Sequence, residues 1–166
     1  MRSFDETYCR PCVEDIELGY RLKAAGYKIR LDKALQVKHL KRWGVISLIK
    51  ADVCDRALPW VQLILRQGKM PSDLNLGWSS RLSVILVYSF LLTLVACWWQ
   101  WKLLILAAVI SILLININAS VYRFFSEKRG VLFALGVLPW HWLYYFYSGL
   151  AFAIGIFLLK FSKNTV

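Results

Sequence analysis

The apolar positions divide the chain into a mixed N-terminal part and a strongly apolar C-terminal part. Residues 1–81 mix charged with apolar side chains, whereas residues 82–159 are nearly free of charge. Because a membrane-spanning helix needs about 20 apolar residues, the second part predicts an all-α membrane domain of about three transmembrane helices. The predicted spans are residues 82–99, 101–119 and 131–159.

The third apolar run is longer than one straight span requires. Tilt of the helix, or a kink at Pro139, would absorb the surplus length. A large buried helical core is the other interpretation of these runs. It is disfavoured because the mixed part of the chain is too small to cover so much apolar surface.

In the mixed part, the first periodic stretch of apolar residues has the spacing of a helix. Apolar side chains recur every four residues between Ile16 and Ala24, which predicts a helix over residues 14–25. Its first turn carries the acids Glu14 and Asp15, which suit the positive end of a helix dipole. Capping of the helix is one interpretation of these acids; the other is catalysis, because a carboxylate at the rim of a cleft can serve as a general base.

After a predicted helix stop at Gly26, the period changes to two. Residues 27–31 alternate apolar with basic side chains, and residues 35–39 repeat the alternation up to His39. This period is typical of strands, so two short strands are predicted here. A histidine at the end of a strand has two interpretations, a structural role and contact with a metal or phosphate.

Residues 43–57 are amphipathic, with apolar side chains on one face and charged ones on the other. Pro59 is expected to interrupt this helix before it resumes at residues 60–65. Such segments lie in the plane of the lipid head groups, although an ordinary helix packed on a soluble domain has the same pattern. Residues 67–76 are rich in turn-forming side chains and predict a loop before the first span.

The charge distribution suggests an orientation in the membrane. The chain has 21 Lys and Arg residues and a net charge of +11, and 15 of these cations precede Leu82. Three more lie in the predicted loop at residues 123–129. The positive-inside tendency then places residues 1–81 and this loop in the cytoplasm of a multi-pass protein, as in a bacterial inner membrane.

The same charge excess bears on partners. Attraction to anionic membrane lipids accounts for it, whereas nucleic acid is not expected as a partner because no soluble domain combines these cations with base-stacking aromatics. Cys9 and Cys12 have the spacing of a metal or redox pair, but no second pair completes a zinc site. Reduced thiols in the cytoplasm favour a structural role for them.

Several short motifs occur in one order along the chain: Phe4-Asp5-Glu6, Glu14-Asp15 with Leu18 and Arg21-Leu22, Gly26-Tyr27, and Val37-Lys38-His39. Together they resemble the C-terminal half of the catalytic domain in family 2 glycosyltransferases. The segment from Leu138 to Gly149, LPWHWLYYFYSG, is similar to the last membrane segment of membrane-bound bacterial members. The resemblance covers nearly the whole chain.

The resemblance implies a nucleotide-sugar-binding α/β fold and inverting transfer of a sugar in a single displacement. Asp15 matches the catalytic base of the family, and Glu14 is its neighbour in the motif. A divalent cation, Mg²⁺ or Mn²⁺, is the expected cofactor of the complete enzyme. The implied partners are a nucleotide-sugar donor and a lipid-linked or saccharide acceptor.

The resemblance also implies residues that bind the leaving diphosphate. His39 falls where some members place a residue near the metal, which makes it the candidate metal ligand. Lys41, Arg42 and Trp43 are the candidate substrate or diphosphate-binding residues. The Gln-x-x-Arg-Trp motif of processive synthases reads His39-Leu40-Lys41-Arg42-Trp43 here, so a processive polymerase is not expected.

The family's first half carries nucleotide-binding strands and an Asp-x-Asp motif, and Asp-x-Asp does not occur in this sequence. We therefore expect the C-terminal portion of a larger enzyme, inactive alone, with a separate N-terminal half as a candidate partner. The expected layout is the end of a catalytic domain (1–40), interfacial helices and a loop (41–81), a membrane domain (82–159) and a tail (160–166). The alternative is a non-enzymatic three-span membrane protein that acts as an assembly or interaction subunit.

Overall fold

The computed structural model describes residues 4–8, 12–30, 32, 34–38, 40, 42–68, 70–72 and 74–162. Within these ranges all regular structure is helical. The α-helices are α1 (Glu14–Ala24), α2 (Val45–Lys50), α3 (Leu58–Gln67), α4 (Trp78–Ala96), α5 (Leu103–Ile117), α6 (Ala119–Arg129) and α7 (Val131–Ser162). The chain forms two compact units, one of residues 1–68 with 151–166 and one of residues 69–150.

Helix α1 confirms the first predicted helix and ends one residue earlier than expected. The Arg21 guanidinium donates to the Glu17 carboxylate at 2.7 Å, an i,i+4 ion pair that supports the helix. The chain leaves the helix through Gly26, whose φ of 83° lies in the left-handed region that glycine adopts without strain.

The two strands predicted at residues 27–31 and 35–39 are not found among the described residues. Residues 27–30 and 35–38 have no regular secondary structure. The strand prediction was wrong there. Alternation of apolar and polar side chains fits a strand with one buried face, but a strand also needs a neighbouring strand to make its backbone hydrogen bonds. The described part of the chain therefore shows no α/β arrangement.

The amphipathic segment forms one helical run from α2 to α3, joined by the π-helical residues Ala51–Ala57. The predicted interruption at Pro59 was wrong. Pro59 occupies the first turn of α3, directly after the π-helical residues, and the helical run continues through it. The wider π turns before it keep the chain helical through the junction. Helix α3 then ends at Gly68, which has a φ of 65°.

The first unit has a small apolar core beneath these helices. Its buried side chains in the helical run are Ala51, Val61, Leu63 and Ile64. Val13, directly before α1, is completely buried. The end of α7 packs closely in this unit, because a Cβ added at Gly155 would lie 3.2 Å from a methyl group of Val61. These contacts hold α3 and the last turns of α7 together.

The apolar part forms two helices long and apolar enough to cross a membrane, α4 and α7. A third crossing exists if α5 and α6 count as one span, although the chain bends by 70° between these two helices. The predicted span at 101–119 is thus the shorter helix α5. The predicted loop at 123–129 was wrong, because these residues belong to α6. Helix α7 contains Pro139 within a single helix.

The second unit is held by an apolar cluster of α4, α5 and α7. Val87, Ile110, Leu114 and Tyr145 are its buried members. Helices α4 and α7 lie close together at Gly149, where an added Cβ would lie only 2.7 Å from a Val84 methyl group. Such close approach through a small residue is the usual means of helix association in membranes.

Labelling a cysteine introduced at residue 70 will test the orientation. With the native cysteines replaced by serine, Met70→Cys should react with a membrane-impermeant maleimide only in inside-out vesicles, because the cation excess precedes the first span. Gln100→Cys, in the turn between α4 and α5, is the matched control and should react only from the opposite side. Labelling of residue 70 in right-side-out vesicles would show that the chain has the opposite orientation.

Candidate functional site

The acidic start of α1 places its two carboxylates in different surroundings. Asp15 is exposed, and its Oδ1 accepts the N–H of Ile16 at 2.8 Å. Glu14 is half-buried, and its Oε2 accepts the N–H of Cys12 at 2.6 Å. Glu14 therefore fixes the backbone directly before α1. The Asp15 carboxylate, in contrast, is accessible to a molecule in solution.

The Phe-Asp-Glu turn holds a further carboxylate, that of Asp5. The N–H of Thr7 donates to Asp5 Oδ1 at 3.0 Å. This hydrogen bond, with smaller contributions from the positive charges of Arg21 and Arg66, lowers the pKa of Asp5. Asp5 thus stays ionised at neutral pH, and the turn and α1 share a mixed-charge environment with the end of α3.

Glu17 is the third acid at the start of α1, and the burial of one of its oxygens was not expected from the sequence. Its Oε1 pairs with Arg21, and its Oε2 is buried with no hydrogen-bond partner. Burial, and next the negative charge of Glu17, raise the pKa of Tyr8. The i,i+4 spacing of Glu17 and Arg21 was the available signal, and it predicts a pair but not the buried second oxygen.

The candidates for the diphosphate end of the site are only partly described. His39 and Lys41 lie outside the described residues. Arg42 and Trp43 are exposed, in the segment that leads into α2. No hydrogen bond or ion pair joins Arg42 to the acids of α1 within the described part of the chain.

Metal binding was expected only for the complete enzyme. In the described ranges, no three side chains of His, Cys, Asp or Glu lie close enough together to hold a metal ion. Cys12 forms no disulfide with another described residue, and Cys9 lies outside the described residues.

The second unit contains a buried polar network that the sequence did not reveal. Asn118, at the break between α5 and α6, donates through Nδ2 to Ser83 Oγ and to the Leu114 carbonyl, both at 2.9 Å. Its Oδ1 accepts the Tyr145 hydroxyl at 2.7 Å. Ser83, Asn118 and Tyr145 are all buried, so one amide joins three helices without leaving a polar atom of its side chain unpaired.

The motif segment of α7 surrounds this network with aromatic rings. His141 Nδ1 lies 3.0 Å from the Tyr122 hydroxyl on α6. The Tyr88 hydroxyl of α4 donates to the Phe146 carbonyl at 2.9 Å, and the ring of Tyr145 lies beside that of His141 with 4.7 Å between centroids. Within the segment Leu138 to Gly149, His141, Tyr145 and Phe146 therefore contact other helices, whereas Trp140 and Leu143 are exposed.

Comparison with known proteins gives no relative for this chain: no protein-family model, curated protein or solved structure matches it.

Proposed function

We propose that the chain is the C-terminal portion of a membrane glycosyltransferase resembling family 2. It would transfer a sugar from a cytosolic nucleotide-sugar to a lipid, lipid-linked or saccharide acceptor. The observation that carries the proposal is the ordered motif set, in which Asp15 stands at the start of α1 with an exposed carboxylate. In the complete enzyme, residues 27–31 and 35–39 would join the α/β sheet that a nucleotide-binding half provides.

Asp15 accepts the proton of the acceptor hydroxyl while that oxygen attacks the anomeric carbon. The bond from this carbon to the nucleoside diphosphate breaks in the same step, and the electron pair leaves with the diphosphate. A positioned base of this kind supplies about 10²–10⁴-fold in rate. Glu14 fixes the helix start through the Cys12 N–H and so holds Asp15 in place.

The leaving diphosphate gains negative charge, which cations must stabilise. Arg42 and Lys41 would provide positive charge, and Trp43 a flat apolar surface, when the nucleotide-binding half brings them to the donor. A divalent cation held with His39 would add Lewis-acid stabilisation of the same charge.

The apolar helices favour a membrane-bound acceptor. Helices α4 and α7 are long enough to span a bilayer, and the cation excess of residues 1–81 favours a cytoplasmic, lipid-facing catalytic portion. A base near the head groups can then meet a hydroxyl or phosphate of a lipid that does not leave the membrane.

Transfer assays with membranes and with the purified chain test the proposal. Membranes of the native host should transfer radiolabel from at least one of a panel of nucleotide-sugars into the lipid or polymer fraction, and deletion of the chain should abolish that transfer. The purified chain in nanodiscs should give only the blank rate, because the sequence offers no Asp-x-Asp. If deletion changes no transfer from the panel, the interaction-subunit alternative is favoured instead.

A further inference from the structure

Helix α6 differs in charge from the helix that precedes it. Helix α5 contains no charged residue, whereas α6 has four charged residues in a length of 11. These are Arg123, Glu127, Lys128 and Arg129, and all four side chains are exposed. Because exposed charges are costly among acyl chains, α6 does not fit as a lipid-facing continuation of the span that α5 begins.

Two observations place the start of α6 near a membrane surface. The chain bends by 70° between α5 and α6, which turns α6 away from the direction in which α5 crosses. Asn118, at this bend, donates to Ser83 in the second turn of α4. The loop before α4 lies at the same end, and its Pro71 and Leu76 carbonyls accept the Arg81 guanidinium. Helix α6 therefore begins at the end of α4 where polar chain meets the apolar span.

The two sides of α6 have the character of a helix that lies in the interface. Tyr122 faces α7, since its hydroxyl lies 3.0 Å from His141 Nδ1. On the outer side, the ring of Phe124 is 54% exposed, next to the exposed Arg123. Exposed aromatic rings with neighbouring cations are typical of helices that lie among lipid head groups.

We propose that α6 lies in the head-group layer and binds the phosphate groups of anionic phospholipids through Arg123, Lys128 and Arg129. These cations outnumber Glu127, the one acid of the helix, and no ion pair joins Glu127 to them within the described residues. The second crossing is then α5 alone. Its 15 residues are few for a bilayer, and local thinning of the bilayer accommodates such a helix. Lipid binding by α6 does not depend on sugar transfer.

An acidic surface of another protein would also complement these cations. Their surroundings favour the lipid, because Asn118 alone separates α6 from the apolar helix α5. The cations therefore lie next to the membrane surface, where phospholipid phosphates are present in excess. Each Lys or Arg close to an anionic membrane strengthens binding about fivefold.

Nitroxide labels measure whether α6 lies along the surface. The full chain, with its native cysteines replaced by serine, is placed in nanodiscs of phosphatidylcholine and phosphatidylglycerol and labelled at Ser120→Cys or Glu127→Cys, both exposed positions of α6. Collisions with oxygen and with a water-soluble nickel chelate report the depth of each label. The two depths should agree within about 4 Å, because the helix rise between these positions, about 10 Å, would run nearly parallel to the surface.

The matched control for depth is Ile105→Cys with Ile112→Cys, two exposed positions of α5 with the same separation in sequence. Their depths should differ by about 10 Å, as expected for a crossing helix. A difference of about 10 Å between residues 120 and 127 would overturn the proposal, because α6 would then continue the span.

Quenching by spin-labelled lipids identifies the bound head group. Bimane attached at Ser120→Cys should be quenched by nitroxide-labelled phosphatidylglycerol in preference to nitroxide-labelled phosphatidylcholine, by about fivefold or more. Arg123→Gln combined with Lys128→Gln should abolish this preference. Lys102→Gln, which removes an exposed cation in the turn before α5, should leave the preference unchanged.

Two results of the quenching experiment would overturn the proposal. One is equal quenching by the two lipids, and the other is a preference that survives the combined change of Arg123 and Lys128. Binding of soluble poly-glutamate that requires the same two cations, without a preference between the lipids, would identify an acidic protein as the partner instead.

Discussion

Asp15→Asn should lower sugar transfer by about 10²–10⁴-fold in membranes where the chain supports transfer. Asparagine keeps the size of the side chain, and its amide oxygen can still accept the Ile16 N–H that Asp15 accepts at 2.8 Å. The change therefore removes the proton acceptor with little effect on the start of α1. Apparent affinity for the donor should stay nearly constant, because Asp15 acts on the acceptor.

Glu14→Gln is the matched control, since it is the same kind of change at the neighbouring residue. Glu14 accepts the Cys12 N–H, so weakening this contact should cost about 1 kcal/mol of stability, in the range of a lost helix cap. Turnover per folded molecule should fall much less than in Asp15→Asn. Near-normal turnover in Asp15→Asn would mean that both acids serve only the helix.

Asn118→Ala should destabilise the membrane unit by about 2–4 kcal/mol, because it leaves the buried Ser83 and Tyr145 hydroxyls without the amide they contact. The measurement is the free energy of unfolding in mixed micelles. Asn116→Ala is the matched control, since exposed Asn116 also donates to a carbonyl four residues earlier, at 2.8 Å. It should cost only about 0.5 kcal/mol.

A double-mutant cycle shows whether the network itself is responsible. Tyr145→Phe removes the hydroxyl that donates to Asn118 Oδ1, so its cost should largely disappear when residue 118 is already alanine. If Asn118→Ala and Asn116→Ala are equally destabilising, or the two changes are additive, the network does not hold the three helices together.

Local rules were sufficient for α1 and for the existence of the apolar helices. Four-residue spacing and Gly26 determine where α1 runs and ends, because both act within a few residues. Apolar length likewise predicts α4 and α7. The exposure of Asp15 was not determined in this way, because Glu14 in the same turn is half-buried.

Features that depend on distant residues were not predictable. Whether residues 27–30 form a strand depends on a neighbouring strand, which no local pattern reports. Asn118 reads as a polar residue at the end of an apolar run, and its role appears only when Ser83 and Tyr145, on other helices, are brought beside it.

Helix α6 is connected to α5 and to α7 by single residues, so its length affects the structure as much as its composition does. Asn118 alone separates α6 from α5, and Gly130 alone, with a φ of 88°, separates it from α7. Neither connection contains a loop that could absorb a change in the length of α6. One inserted residue within α6 would carry Gly130 about 100° around the axis of that helix and about 1.5 Å along it. Helix α7 would then start in a different direction relative to α6. The length of α6 therefore sets the orientation of α7.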